Sequence, residues 1–161
     1  MSDCKIKVEE RIGSVLISAH QEENGVLHGA YVWKENGLFV AQGFFQYGSP
    51  HGLWIYYKEG QVIGEKLWDN GYIQGSVAYK DGRLESVTIK PISNERRIVT
   101  NEQIPFDYEA RNFLHKIAEM REAQSKILET LSKKIALEEE KYRHKYPIAR
   151  QTSLIKGELS H

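Results

Sequence analysis

The chain has 161 residues, of which 40% are hydrophobic and 11% aromatic, so it can form a packed core and is too apolar for a disordered chain. Lys plus Arg and Asp plus Glu both number 22, which excludes recruitment to nucleic acid or membrane by net charge. The lone cysteine, Cys4, excludes an intramolecular disulfide, and no segment reaches the roughly 20 apolar residues of a membrane span. We expect a soluble, cytoplasmic protein.

The N-terminal segment, residues 1–13, is rich in charged side chains, and we expect it to be flexible, with at most a short strand at Ile6–Val8. Ser14–His20 combines β-branched and apolar residues and predicts a strand. Turn-forming residues follow at Gln21–Gly25. We place the start of a β-repeat domain, residues 14–90, at this first strand.

An internal repeat with a step of 23 residues occupies the chain from Gly25 to Gly82. The step relates Gly25, Gly48 and Gly71; Gly29, Gly52 and Gly75; Trp33, Tyr56 and Tyr79; and Gly37 with Gly60, while Gly82 comes one residue early. Each copy has strand-like segments on both sides of a short turn, which predicts a β-hairpin. The turns lie at Asn36-Gly37, Glu59-Gly60 and Asp81-Gly82.

Consecutive hairpins with short connections pair with their sequence neighbours and form an antiparallel β-meander. Side chains alternate between the faces of a strand, so one face is predicted to carry an aromatic band. The band consists of Tyr31 with Trp33, Trp54 with Tyr56, and Val77 with Tyr79, while Phe45, Tyr47 and Tyr57 alternate to other positions. Two interpretations stay open: the rings are core beneath a covering element, or they are a binding platform, because Trp and Tyr dominate protein interfaces.

The second copy reads Tyr47-Gly48-x-x-x-Gly52-x-Trp54-x-x-Tyr57-x-x-Gly60, which resembles the MORN repeat. The resemblance covers about residues 24–90 and is strongest to the variant in bacterial proteins described as antitoxin components of toxin–antitoxin systems. The first copy lacks an aromatic residue before its first glycine, and the third has Val77 where the motif has a bulky ring. The resemblance implies a β-meander that acts as a binding or scaffolding platform. Members of the family include lipid-associated, dimer-forming and partner-inhibiting proteins.

After the repeats, residues 91–106 are polar and bracketed by prolines, which predicts a linker in which Ile98–Thr100 could add an edge strand. The hydrophobic period then changes to that of a helix. We predict one long helix over residues 107–146, capped by Asp107 and ended by Pro147, and then a flexible tail, residues 147–161. The predicted fold class is α+β: an antiparallel β-meander of MORN-like hairpin repeats followed by one long C-terminal α-helix.

The predicted helix, 39 residues to Lys145, is roughly 58 Å long and exceeds the roughly 34–38 Å width of a meander of seven or eight strands. Its apolar residues follow a heptad-like spacing interrupted by Gln124, a polar position that can fix the register of a coiled coil. In one arrangement the first half of the helix covers the aromatic face of the sheet and the second half pairs with another subunit. In the other, the whole helix forms a two-helix coiled coil and leaves the aromatic face for a partner. Both arrangements predict a homodimer with an interface at Phe113, Ile117, Met120, Ile127 and Leu131.

His28 and His51 occupy the same place in successive copies. Equivalent positions lie two strands apart, at about 9.6 Å, which is too far for two imidazoles that must each lie about 2.0–2.1 Å from a shared zinc ion. No metal site and no cofactor is expected. The sequence also has no recognisable phosphate loop, nucleophile elbow or carboxylate pair, so we expect no catalytic residues and no enzymatic activity.

The predicted function is that of a non-enzymatic protein-binding module. Its partner-binding residues are predicted to be Tyr31, Trp33, Trp54, Tyr56 and Tyr57. By the resemblance, the partner is a toxin or another effector that this protein inhibits. Nucleic acid is not expected as a partner, because few basic residues lie among the rings. The alternative is a peripheral membrane or cytoskeletal scaffold that binds anionic phospholipid through the repeats and a basic tail, which contains Lys141–Lys145, Arg150 and Lys156.

Overall fold

A computed structural model describes residues 3–90 and 95–145. Within these residues the strands are β1 (Asp3–Arg11), β2 (Ser14–Glu23), β3 (Val26–Glu35), β4 (Leu38–Gln46), β5 (Ser49–Pro50), β6 (Gly52–Lys58), β7 (Gln61–Asp69), β8 (Tyr72–Lys80), β9 (Arg83–Ile89) and β10 (Arg97–Thr100). The helices are the 3₁₀ helix η1 (Ile104–Phe106), the α-helix α1 (Tyr108–Glu139) and the 3₁₀ helix η2 (Glu140–Lys145).

The strands form one antiparallel sheet in which neighbours in sequence are neighbours in space. The order is β1-β2-β3-β4-β6-β7-β8-β9-β10, and the two-residue β5 pairs with β4. One long helix follows the sheet. The predicted α+β architecture, an antiparallel meander followed by a long C-terminal helix, is therefore confirmed.

The turns of the repeat share one backbone conformation. In each turn a residue with φ between 44° and 54° precedes a glycine with φ between 77° and 89°. The pairs are Asn24-Gly25, Asn36-Gly37, Tyr47-Gly48, Glu59-Gly60, Asn70-Gly71 and Asp81-Gly82. Two successive positive φ angles are the geometry of type I′ turns, whose twist matches that of paired strands. The predicted hairpins are confirmed, and the connections between hairpins use the same turn.

The N-terminal segment differs from the prediction of a flexible region through residue 13. Residues 3–11 form β1, which pairs with β2 along its whole length, from Asp3 opposite Glu22 to Arg11 opposite Ser14. Val8 packs against the core next to Ile17. The segment is ordered as a strand because its even-numbered residues Cys4 and Val8 meet that core, a period-2 signal hidden among the charged residues.

The predicted linker also carries structure. Arg97–Thr100 forms β10 against β9, which confirms the edge strand considered at Ile98–Thr100. Residues 91–94 of the linker, the end of the predicted helix at residue 146 and the predicted tail, residues 147–161, lie outside the described residues. The second half of the predicted linker is therefore not an unstructured connection, because it contains β10 and η1, which lead directly into the helix.

The long helix begins as predicted. The Asp107 side chain accepts a hydrogen bond from the Ala110 N–H at 3.0 Å, which satisfies one of the free donors of the first turn. The α-helical part ends earlier than predicted, at Glu139, and continues as η2 to Lys145. The helix is uninterrupted between these residues.

The helix packs across its own sheet and returns the chain from the β10 side to the β1 side. Near its start, Phe113 lies against Gly75 of β8, and near its end, Glu139 accepts a hydrogen bond from Lys34 of β3 at 2.8 Å. The buried side chains between helix and sheet form two aliphatic clusters. One contains Leu53, Ile55, Leu67, Val77, Val87, Ile89, Val99, Ile104, Ala110 and Ile117, and the other contains Val15, Ile17, Ala19, Ala30, Val32, Leu128, Leu131 and Ile135.

The apolar stripe of the helix is thus core of a single chain, and the expectation that it would be left uncovered in a monomer is wrong. Ile117 and Leu131 are buried against the sheet, and Phe113 and Met120 pack at the edge of the same core. Ile127, by contrast, is 44% exposed on the other side of the helix. A dimer through the other four residues of the predicted interface, which all contact the core, would require the helix to leave its sheet. Dimerisation itself stays a prediction.

The physical reason for this difference is the width of the sheet. The strand path contains nine strands instead of seven or eight, so the sheet is about 43 Å across at about 4.8 Å per strand. The α-helix has 32 residues and is about 48 Å long. Because these lengths match, the helix has no long overhang that must find a second subunit.

Candidate protein-binding face

The sheet has a helix face, which α1 covers, and an opposite side that we call the open face. Alternation along β3 directs Ala30 and Val32 to the helix face, where both are buried in the core. It directs Tyr31 and Trp33 to the open face. In β6, Leu53 and Ile55 lie in the helix-side core, and alternation directs the neighbouring residues Trp54 and Tyr56 to the open face. The aromatic band of the first two copies is therefore not the core beneath the helix.

Four rings on the open face form an aromatic cluster, which consists of Tyr31, Phe45, Trp54 and Tyr56. The Trp54 ring lies at its centre, with ring centroids 5.9 Å from Tyr31, 5.1 Å from Phe45 and 6.3 Å from Tyr56. Tyr31 and Phe45 meet edge to face at 5.6 Å. These separations are those of favourable aromatic pairs, so the rings hold one another in place.

Trp54 is the fixed centre of the cluster. Its Nε1–H donates to the backbone oxygen of Phe44 at 2.8 Å. Its ring lies flat over Gly43, where an added Cβ would come within 2.2 Å of the indole. Only 7% of Trp54 is exposed. Trp54 therefore holds the other rings in place, and Tyr31 and Tyr56 are partly exposed beside it.

The remaining two residues of the predicted binding set have different places. Trp33 is partly exposed on the open face, beside Ser18 of β2. Tyr57 lies on the helix face, because regular alternation along β6 places it on the same side as Leu53 and Ile55. Its hydroxyl accepts a hydrogen bond from Gln42 at 2.5 Å, and burial raises the pKa of that hydroxyl. Tyr57 is therefore not part of the aromatic cluster.

The third copy departs from the predicted band. Val77 is buried in the helix-side core and Tyr79 packs against it, so both lie on the helix face. The open-face positions of this strand are Ser76 and Ala78. The reason lies at the entry to each strand: Gly29 and Gly52 have φ of 107° and 78°, whereas Gly75 has no positive φ. In β8, the first strand of the third copy, the residues equivalent to Trp54 and Tyr56 therefore face the helix, and the aromatic cluster ends before this strand.

Charged groups border the aromatic cluster on two sides. On one side, the Lys66 ammonium lies 5.3 Å from the centre of the Tyr56 ring, within the range of a cation–π contact. On the other, the His20 ring stacks on Tyr31 at 6.1 Å and contacts the Glu22 carboxylate at 3.0 Å. Hydrogen bonds from His20 and then Lys5 lower the pKa of Glu22. The rim of the cluster is polar, as in protein interfaces with an apolar centre.

The Tyr56 hydroxyl is a hydrogen-bonding group of the aromatic cluster. Burial raises the pKa of Tyr56 above its usual value of 10.0. The hydroxyl therefore stays protonated and can donate to an acceptor on a partner. The surface combines apolar ring area with a fixed donor, the combination for which tyrosine is favoured at interfaces.

The two repeated histidines support turns. His28 Nδ1 accepts a hydrogen bond from the Tyr47 backbone N–H at 3.1 Å, and His51 Nδ1 accepts one from the Asn70 N–H at the same distance. They thus repeat one contact in successive copies. Among the described residues, no group of three or more His, Cys, Asp or Glu side chains is placed to hold a metal ion.

An ion pair between a buried carboxylate and a partly exposed arginine links the helix to the sheet beside a cleft of about 470 Å³. Arg121 of α1 donates to both carboxylate oxygens of Glu65 at 2.7 and 3.0 Å, and the Tyr79 hydroxyl donates to the same carboxylate. Glu65 is 1% exposed. Burial and the hydrogen bond to Glu65 raise the pKa of Tyr79. Since all three groups are used in this contact, we assign it to fastening the helix.

Phe45, His20 and Lys66 belong to the open face but were not among the predicted binding residues. Phe45 was expected to alternate away from Tyr31. A β-bulge between Trp33 and Lys34 shifts the register by one residue and brings Phe45 to the same face. A bulge in a regular strand leaves no clear sequence signal. Lys66 lies directly opposite Trp54 only because a second register shift, between Tyr56 and Tyr57, moves β7 by one residue.

No protein-family model matches the chain, and no curated protein matches it. Within the described residues, the helices are too short or too polar to cross a lipid bilayer.

Proposed function

We propose that the protein is a non-enzymatic protein-binding module that holds a partner protein on the open face of its sheet and inhibits it. The observation that carries the proposal is the aromatic cluster on the face that α1 does not cover. Tyr31 and Tyr56 are partly exposed there, and Trp54 fixes their positions. Rigid aromatic side chains with small entropy loss on binding are the usual energetic centres of protein interfaces.

The backbone beneath the cluster also favours this role. The rings project from β3, β4 and β6, which are central strands of the sheet, and α1 packs against β3 and β6 from behind. A surface on paired strands is more rigid than a loop, so the protein loses little conformational entropy when a partner binds there. We expect affinity to reside mostly in Tyr31, Trp33 and Tyr56, with Lys66 and His20 at the rim.

The resemblance of the repeat to the MORN variant of bacterial antitoxin components supports an inhibitory role. On this proposal the partner is a toxin or another effector whose active surface is covered when the open face binds it. The resemblance rests on the Gly and aromatic spacing of residues 24–90. The cluster itself draws its rings from the first two copies, and the second copy carries the best match to the motif.

The experiment uses the product of the gene adjacent to this one, co-expressed with the full chain, and measures binding by calorimetry and inhibition in the partner's own assay. Tyr31→Ala and Tyr56→Ala should each weaken binding by at least about tenfold. Ser18→Arg, which adds bulk to the open face and removes no ring, should do the same. Tyr72→Ala is the matched control, because Tyr72 is 75% exposed and lies outside the cluster.

Equal affinity of wild type, Tyr31→Ala and Ser18→Arg for a bound partner would contradict the open face as the binding surface. Circular dichroism of each variant shows whether the fold is intact. Flotation of the wild-type chain with vesicles of anionic phospholipid, lost at high salt, would instead favour the membrane scaffold.

A further inference from the structure

The first strand is the long free edge of the sheet. In the described part of the chain, the strand order ends at β1 on one side and at β10 on the other. β10 has four residues, and its Arg97 is bonded to Asp107 at the helix start. β1 has nine residues. A long edge strand offers its outward backbone groups to another strand, and natural proteins pair or block such edges.

The outward backbone groups of β1 can be assigned from its hairpin. Arg11 and Ser14 flank the two-residue turn and form the closing pair, so odd-numbered residues of β1 direct their N–H and C=O groups toward β2. The even-numbered residues Ile6 and Val8 then direct theirs away from the sheet. Ile6 is also 40% exposed at this edge. An incoming strand would pair with the backbone of the even-numbered residues and cover the Ile6 side chain.

We propose that β1 pairs with β1 of a second copy of this chain, antiparallel about a twofold axis at Lys7, so that two sheets become one. In this register Ile6 lies opposite Val8 of the second copy on the helix face. Lys5 lies opposite Glu9 of the second copy on the open face, and symmetry forms each contact twice. The edge is therefore complementary to itself in both charge and apolar character.

Neighbouring registers are worse. A register centred on Ile6 places Lys5 opposite Lys7 of the second copy, and one centred on Val8 places Lys5 opposite Arg11. Like charges directly opposite are destabilising in antiparallel sheets. The register centred on Lys7 has one like-charge contact, between Lys7 and Lys7 of the second copy. Glu9 of the second copy lies diagonally across from Lys7 and offsets that contact in charge. Lysines on an edge usually block pairing, but here the charge order Lys5, Lys7, Glu9, Arg11 along the open face selects one register.

The geometry gives a cross-linking test. Lys7 and Lys7 of the second copy form a non-hydrogen-bonded pair, with Cα atoms about 4.5 Å apart, which is within disulfide range. Lys7→Cys, made in the full chain with Cys4→Ser, should form a covalent dimer under mild oxidation at least about tenfold faster than random collision allows. Ile98→Cys in the same background is the matched control, because Ile98 is 66% exposed on the other edge strand.

Light scattering then measures the association without a cross-link. The wild-type mass should rise from 18.6 kDa toward twice that value as the concentration increases to about 500 µM. Ile6→Pro removes an outward N–H that β2 does not use and should keep the chain monomeric. Lys5→Glu should weaken the dimer, and Lys5→Glu with Glu9→Lys should restore it.

A monomer throughout this concentration range would overturn the proposal. So would a Lys7→Cys chain that cross-links no faster than Ile98→Cys. Failure of the Lys5→Glu, Glu9→Lys double variant to recover association, with an intact fold by circular dichroism, would refute the register. None of these results depends on the partner protein, so they are separate from the test of the proposed function.

Discussion

The Gln124 side-chain amide forms two hydrogen bonds with the backbone of Leu53. Its Oε1 accepts from the Leu53 N–H and its Nε2–H donates to the Leu53 oxygen, both at 3.0 Å. At this point β4 and β6 pair only through Ala41 opposite Tyr56 and Gln42 opposite Ile55, so Leu53 has no paired residue in β4. The helix supplies the contacts that a neighbouring strand would otherwise provide.

Gln124→Leu should destabilise the protein by about 3 kcal/mol, because it leaves two buried backbone groups unsatisfied at about 1–3 kcal/mol each. Chemical unfolding in urea measures the change. Ser125→Leu, at the exposed neighbouring position, is the control and should change stability by less than about 0.5 kcal/mol. A Gln124→Leu chain as stable as wild type would show that water or a backbone shift replaces the amide.

The pair of Glu65 and Arg121 should behave non-additively. Arg121→Met leaves the Glu65 carboxylate buried without its cation and should cost about 2–3 kcal/mol, less than for a fully buried pair because Arg121 is 45% exposed. Arg121→Met combined with Glu65→Leu should cost less than Arg121→Met alone, since no charge is then buried. Urea unfolding of the single and double variants checks this, and simple additivity would contradict it.

Acid should loosen the start of the helix through Asp107. Hydrogen bonds from Arg97 and from the Ala110 N–H lower the pKa of Asp107 from 3.8 to about 2. A depressed pKa in the folded state means that the carboxylate contributes stability above pH 4, and that this contribution is lost as the pH falls from about 4 to about 2. The melting temperatures of wild type and Asp107→Asn should therefore differ at pH 7 and converge near pH 2.

Arg97→Gln tests the cause of that shift. It removes the first of the two donors, so the acid transition attributed to Asp107 should move to higher pH. Melting curves of Arg97→Gln and wild type that show the same pH dependence would mean that Arg97 is not responsible.

Gly43→Ala should disrupt the aromatic cluster. An added Cβ would lie within 2.2 Å of the Trp54 ring, so the ring must move off the sheet, at about 1–3 kcal/mol of stability. Near-ultraviolet circular dichroism reports the ring and urea unfolding reports the stability. Gly64→Ala is the control, because its Cβ would meet the Val77 oxygen at 3.3 Å, a contact that a small shift relieves. Equal effects of the two substitutions would contradict the role given to Gly43.

Local signals in the sequence were sufficient for the order of elements. The 23-residue step and the Gly positions predicted the hairpins, because a residue–Gly pair with two positive φ angles is a property of the turn alone. Asp107 predicted the helix start for the same reason, since its hydrogen bond to Ala110 joins residues three apart. Both features depend only on residues that are close together in the chain, so a local sequence pattern is sufficient to predict them.

Only the tertiary structure decided which side of each strand is buried and what the helix contacts. A single β-bulge, as at Trp33 and Lys34, reverses every side chain beyond it, and this brought Phe45 to the open face. The apolar stripe of the helix has a spacing that suits either a second helix or a sheet. The helix packs on its own sheet because the path of nine strands is nearly as wide as the helix is long. The edge strands β1 and β10 supply the outer parts of that width. Both outcomes depend on register and distance between remote segments, which no local pattern specifies.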